Sequence, residues 1–159
     1  MKRIYAPWRL VYLISERPDE CLFCTLPEEH TDEKNLILYR GDYCFVIINR
    51  YPYTNGHVMV VCNRHVDLIS ELSVEESAEV MALVSRCERA ISHAYNPGGI
   101  NVGANLGSTA GAGIPGHLHV HLVPRWHGDT SFMTSIGETR VISEGLDETY
   151  KRLKPYFEE

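Results

Sequence analysis

Residues 117–123 read His-Leu-His-Val-His-Leu-Val, so three imidazoles stand at alternate positions. In a β-strand this period of two sends His117, His119 and His121 to one face and Leu118, Val120 and Leu122 to the other. Imidazole changes charge near neutral pH, and it serves as nucleophile, acid–base group or metal ligand. Three of them in an apolar setting are costly unless each finds a partner. Three histidines can form an open zinc site. Positions i, i+2 and i+4 nevertheless extend over about 13 Å at about 3.3 Å per residue, too far for one ion without a bend. Metal binding and catalysis both stay open from the strand alone.

Two further motifs carry chemistry. The run Asn105–Gly116 is rich in small residues, including Gly107 and Gly113, and its Ser108 and Thr109 add hydroxyl donors. Such a backbone lets N–H groups approach an anion closely. It has neither the P-loop lysine nor the strand–helix setting of a dinucleotide fingerprint. Beside the histidines it reads as a phosphate cradle, with a plain surface loop as the alternative. Cys21 and Cys24 form a C-x-x-C pair, which is half of a structural zinc site or else a reduced or redox-active pair without metal. Cys44, Cys62 and Cys87 sit among apolar neighbours and read as small buried hydrophobes. The total of five cysteines is odd and argues against a disulfide framework.

These groups must be positioned by the rest of the chain. Leu36–Arg40, Tyr43–Asn49 and His57–Asn63 are expected strands, the first two joined by a Gly41-Asp42 hairpin turn. Val74–Ala94 is the expected long helix. Ser73 and Glu76 make a capping box, and Met81, Val84, Cys87, Ile91 and Ala94 mark an apolar stripe. Pro97-Gly98-Gly99 ends it. Ile100–Leu106 and His117–Val123 supply two more strands, and Asp147–Phe157 a short C-terminal helix. Residues 18–33 read as a polar, turn-rich stretch, and residues 1–20 as an ordered arm packed on the domain. The expected class is α+β: a five-stranded antiparallel sheet with one long helix and a short C-terminal one.

The 159 residues are enough for one domain with a real core. The expected division is an arm (1–35) bearing the C-x-x-C, a core (36–125) and a C-terminal extension (126–159). A hydrophobic fraction of 44% and a charged fraction of 23% are those of an ordinary globular chain. The net charge of −6, without a clustered basic stripe, argues against nucleic acid as partner. No apolar run approaches the roughly 20 residues that span a bilayer. Pro7, Trp8 and Arg9 stand where a signal peptide needs an apolar stretch, so the expected location is the cytoplasm. Trp8, Trp126 and Phe132 are candidates for stacking on a base or for plain packing.

The pattern His117–Val123 resembles the full signature of the histidine triad (HIT) superfamily. Asn49, the His57–Val61 strand after Gly56, the single helix and Asn105 before the glycine loop fall in matching order. Ala6-Pro7-Trp8-Arg9 followed by C-x-x-C, Ala110–Gly113 before the triad, and Val123–Met133 after it resemble the bacterial branch similar to diadenosine tetraphosphate phosphorylases. That branch carries Asn where Ser131 stands here. Other branches carry Gln and Ser near the place of Ile114-Pro115, so the phosphate contacts must differ. The resemblance implies an enzyme that transfers or hydrolyses nucleotidyl groups from dinucleoside polyphosphates, with phosphate the favoured acceptor. Its alternatives are a hydrolase of dinucleoside polyphosphates or nucleoside phosphoramidates, and a slow-turnover nucleotide-binding regulator. His119 is implied as the nucleophile, His121 as donor to the phosphate or leaving oxygen, and His57 as the residue that orients the triad. Asn49 is implied at the ribose. Asn105, Gly107, Ser108, Thr109, Gly113 and His121 are the further candidate nucleotide-binding residues, with Asn105, Ser108, Thr109 and backbone N–H groups the candidate phosphate contacts. A structural zinc held by Cys21, Cys24, His65 and His117 is implied, as is a homodimer.

Overall fold

A computed structural model describes residues 20–111, 113–114, 116–137 and 139–158; of Ser108 it describes the backbone alone. The motif at residues 6–9, the arm before residue 20 and Trp8 lie outside the described residues.

Five strands form one sheet: β1 (Ile37–Arg40), β2 (Cys44–Ile48), β3 (Val58–Cys62), β4 (Gly99–Gly103) and β5 (His119–Arg125). Their order is β1-β2-β3-β5-β4, and every neighbouring pair is antiparallel. β2 and β3 are buried throughout, which suits their β-branched and aromatic content. The register aligns Val61 with His119 and Met59 with His121, and Gly103 stands across from His121 on the other side. Paired residues share a face, so β2, β3 and β4 supply the floor around the histidines.

The preceding segment holds α1 (Leu22–Glu28) and α2 (Asp32–Asn35); the long helix is α3 (Val74–Tyr95). After the sheet come α4 (Phe132–Ser135) and α5 (Leu146–Leu153), the last continued by a 3₁₀ turn at Lys154–Phe157. α3 packs on β2, β3 and β5 through Val80, Leu83, Val84, Cys87, Ala90 and Ile91. α5 adds Tyr150 and Leu153 to the same core. Among the described residues no helix is long and apolar enough to cross a membrane.

The termini of α3 follow the sequence. The Ser73 hydroxyl accepts the Glu76 N–H at 3.1 Å, and the Glu76 carboxylate accepts the Ser73 N–H at 2.7 Å. Asn96 closes the other end in the left-handed region at φ 45°. Glu76 also accepts Arg64 Nε at 2.9 Å and Nη2 at 2.8 Å. The helix start is thereby tied to the turn that carries His65.

Several boundaries differ from expectation. Of the expected α3 stripe, Val84, Cys87 and Ile91 are buried and Ala94 packs against the core, but Met81 is 64% exposed, and Val80 and Leu83 are buried in its stead. β4 stops at Gly103 rather than Leu106, and β5 is displaced to 119–125 rather than 117–123. The displacement has a cause: the Leu118 N–H donates to the Val66 carbonyl at 2.6 Å, outside the β3 ladder. α1 and most of the short α2 stand in the stretch read as polar and turn-rich, and α4 in a part of the C-terminal extension where no element was expected. They have four to seven residues, too short for a periodic signal, and α1 contains Pro27.

Candidate active site

His119 is 5% exposed and His57 fully buried, in the floor of the sheet face opposite α3. His121 stands beside them, with its ring centroid 4.8 Å from that of His119 and an interplanar angle of 76°. Hydrogen bonds fix what each ring nitrogen does. His119 Nδ1 lies 2.7 Å from the His117 carbonyl, which can only accept. The Nδ1 therefore carries the proton, and the lone pair is on Nε2.

His121 is set the other way by a relay. The Tyr53 N–H donates to His57 Nδ1 at 3.1 Å, so that nitrogen is an acceptor. His57 Nε2 then carries its proton and donates to His121 Nδ1 at 3.0 Å. His121 is left with an N–H at Nε2. Two adjacent imidazoles thus offer complementary groups, a free lone pair on one and a donor on the other.

Burial holds all of them neutral. Loss of water pushes His57 down to about 3, helped by the neighbouring His121 and His119. The same desolvation, with His119 nearby, pushes His121 down to about 4. His119 is also lowered by burial, against the opposing bond to the His117 carbonyl. A neutral ring is the form that can attack an electrophile.

Sequence reasoning missed two rings in this site. Phe23, between the two cysteines, packs its ring 5.2 Å from His119 and 5.5 Å from His117. Tyr53 lies 4.6 Å from His57 and 5.9 Å from His121, nearly parallel to the latter. The position of Phe23 inside C-x-x-C was the available signal, since any ligand pair must hold what lies between. Tyr53 had none beyond standing four residues before His57.

Asn49 is close to the histidines. Its Oδ1 accepts the Tyr51 N–H at 2.9 Å, and its Nδ2 lies 3.4 Å from both ring nitrogens of His57. The glycine loop is less engaged. Gly107 and Gly111 have φ of +82° and +90°, conformations that glycine adopts freely. Gly107, Thr109 and Gly113 are exposed, and Asn105 is half-buried. Trp126 packs edge-on against Tyr95 of α3, 6.3 Å away, and is not in the site. Phe132 is 74% exposed.

A second cluster sits beside the first. Ligand atoms of Cys21, Cys24, His65 and His117 all lie within 4.8 Å of one another. His117 Nδ1 is 3.3 Å from Cys21 Sγ and 3.6 Å from Cys24 Sγ, and His65 Nδ1 is 3.3 Å from Cys24 Sγ. A tetrahedral zinc with bonds of about 2.3 Å to sulfur and 2.0–2.1 Å to nitrogen has S···N edges of about 3.5 Å. The donor set therefore fits zinc in kind and in spacing. His117 Nε2 donates to the Cys62 carbonyl at 2.7 Å, which frees Nδ1 to face the sulfurs, the usual support for a metal-bound histidine. The triad is divided: His117 turns to the cysteines, and His119 and His121 face the open side.

The chain belongs to the HIT domain family, whose model matches residues 30–128. It is 39% identical over 162 aligned residues to a protein named AP-4-A phosphorylase from Mycobacterium tuberculosis, covering 96% of this chain and 83% of that one. It is 33% identical over 91 residues to a bis(5'-adenosyl)-triphosphatase of Saccharomyces cerevisiae, covering 57% and 44%. Among solved structures it resembles a Zn-bound histidine triad family protein from Mycobacterium smegmatis, with TM-score 0.70 and 25% identity over 87% of this chain and 94% of that one.

Proposed function

We propose that the protein is a HIT enzyme that cleaves dinucleoside polyphosphates of the diadenosine tetraphosphate class through a nucleotidyl-histidine intermediate, with phosphate as acceptor. The observation that carries the reading is the pair of opposed tautomers at His119 and His121. His119 Nε2 attacks the α-phosphorus, and the bond from that phosphorus to its bridging oxygen breaks. His121, through Nε2–H, donates to the departing oxygen as charge develops on it. Nucleoside triphosphate leaves. An oxygen of inorganic phosphate then attacks the phosphorus, the P–N bond breaks, and nucleoside diphosphate departs with His119 restored. Splitting one displacement into two lets a single lone pair serve both halves. His57 holds the tautomer of His121. Asn49, its amide oriented by Tyr51, is assigned to the ribose, and Asn105, Gly107, Ser108, Thr109 and Gly113 to phosphate.

Cys21, Cys24, His65 and His117 would hold a structural zinc, whose chemistry is to cross-link the first turn of α1 to the β3–α3 turn and the foot of β5. The Zn-bound relative supports this, as does the donor geometry. We read residues 1–159 as one domain working in the cytoplasm as a homodimer; the exposed edge of β4 supports the dimer.

Likeness to the AP-4-A phosphorylase over nearly the whole chain favours phosphorolysis over hydrolysis. The test is product analysis with diadenosine tetraphosphate: ADP and ATP that require added phosphate support it, and AMP with ATP regardless of phosphate replaces it with the hydrolase.

A further inference from the structure

Beyond His121 the same sheet face continues into a cavity of about 580 Å³ that the histidine chemistry does not use. It is lined by Pro52, Tyr53, Asn101, Val123, Arg125 and Arg140. Val123 is the next residue after His121 on that face, about 7 Å along the strand. Asn101 is its partner across β4–β5. Tyr53 forms the wall between cavity and site, since its ring also stacks on His121. The cavity and the histidines are thus two halves of one groove.

Its polar groups are those of an anion site. The Arg125 guanidinium is fixed by Asp129, at 2.6 Å from Nε and 3.1 Å from Nη2, and Nη1 donates to Asn101 Oδ1 at 2.8 Å. With that oxygen held by Arg125, the Asn101 amide keeps its NH₂ group as the donor it can give to a ligand in the cavity it lines. Arg125 and Asp129 cancel in charge. Arg140 forms no salt bridge among the described residues, although its charge is near enough to Asp129 to help lower that carboxyl, and one N–H donates to the Tyr53 carbonyl at 3.1 Å. The remaining donors of its guanidinium fork belong to an exposed side chain at the cavity rim. The chain on either side is held in place. Asn55 donates to the Ser143 hydroxyl at 2.8 Å and accepts the Ser143 N–H at 3.2 Å.

We propose that this cavity is the subsite for the departing half of the substrate, with Arg140 and the Asn101 amide on its outer phosphates and Tyr53 and Pro52 against its base or sugar. This rests on the nucleotidyl-transfer reading above and adds the place and the side chains that hold the departing polyphosphate. It also gives Arg140 a task that the triad cannot perform, discrimination by chain length.

The test compares wild type with Arg140→Ala on two substrates carrying the same adenylyl group. One is diadenosine tetraphosphate; the other is adenosine 5'-phosphoimidazolide, whose leaving group has no phosphate to reach the cavity. The ratio of kcat/KM for the first to that for the second should fall about ten-fold in Arg140→Ala, mainly through KM, the effect of one lost charge-assisted contact. Asn101→Ala should move the ratio the same way. An unchanged ratio, or equal losses on both substrates, overturns the subsite. Should wild type turn over neither substrate, the transfer reading itself fails, and binding decides the subsite. Wild type must then bind ATP more tightly than AMP by a factor that Arg140→Ala loses; equal preference in both proteins overturns it.

Discussion

At the scale of single residues, function turns on which nitrogen holds a proton. His119 and His121 are the same side chain, two residues apart and both buried, yet a carbonyl beneath one and an imidazole beneath the other give them opposite roles. Replacing His119 with Ala removes the lone pair and leaves the groove. Turnover of diadenosine tetraphosphate should drop by at least about 10³-fold, with ATP affinity changed less than about three-fold. Steady-state rates and calorimetric titration check the two halves separately. Burial of neutral imidazoles also has a pH consequence. His57 and His121 have folded-state values of about 3 and about 4, below the ordinary value near 6.5. Between pH 6.5 and 4 the unfolded chain therefore takes up protons that the folded one refuses, and stability falls with pH. Their contribution is fully present above pH 6.5 and is eroded as pH drops toward the folded values. Thermal melts should show a Tm several degrees lower at pH 5 than at pH 7.5. In His121→Gln that difference should shrink; an unchanged difference would mean that other groups govern the acid limb.

At the scale of elements, the Cys–His cluster and His119 lean on one short helix. α1 begins directly after Cys21, contains Cys24, and presents Phe23 to the rings of His117 and His119. A helix of seven residues has little intrinsic stability in water, so its anchorage has to come from tertiary contacts. Cys24→Ser should abolish tight zinc binding, measured by elemental analysis, and lower Tm by roughly 5 °C or more. It should also lower kcat, because the Phe23 ring loses its seat against His119. A zinc-free variant with full kcat would show that the cluster and the nucleophile are independent. The same elements mark how far sequence could be read. The alternation around His119 and the Ser73–Glu76 box were legible because each is a local pattern with a single geometric meaning. The position of β5 was not, because the bond from Leu118 to Val66 depends on a segment more than fifty residues away. Met81 misled for a related reason: at the edge of an apolar stripe, the sheet decides which neighbouring position is covered. Tyr53 and Arg140 carried no local signal, since both enter the groove through loops.

At the scale of the whole molecule, the C-terminal segment is fastened to the loop that shapes the site. Glu144 is the hub. Its carboxylate accepts the Tyr95 hydroxyl from α3, the Thr149 hydroxyl at 2.9 Å and Arg152 Nε at 2.8 Å. The Tyr95 ring in turn packs over Gly56, where a side chain would collide with it and where φ of +74° favours glycine. Gly56 directly precedes His57, and the adjoining residues 53–55 bond to Arg140 and Ser143. The path from Glu144 to the histidine relay therefore passes through one aromatic ring and one tight turn. Glu144→Ala leaves two hydroxyls and a guanidinium without their acceptor, a loss of about 1–3 kcal/mol, or roughly 2–10 °C in Tm for a chain of this size. If the segment also steadies the relay, backbone amides of residues 50–57 should exchange faster with solvent in this variant, and KM for diadenosine tetraphosphate should rise. Faster exchange confined to residues 140–152 would mean that the latch stabilises the fold and leaves the groove unaffected.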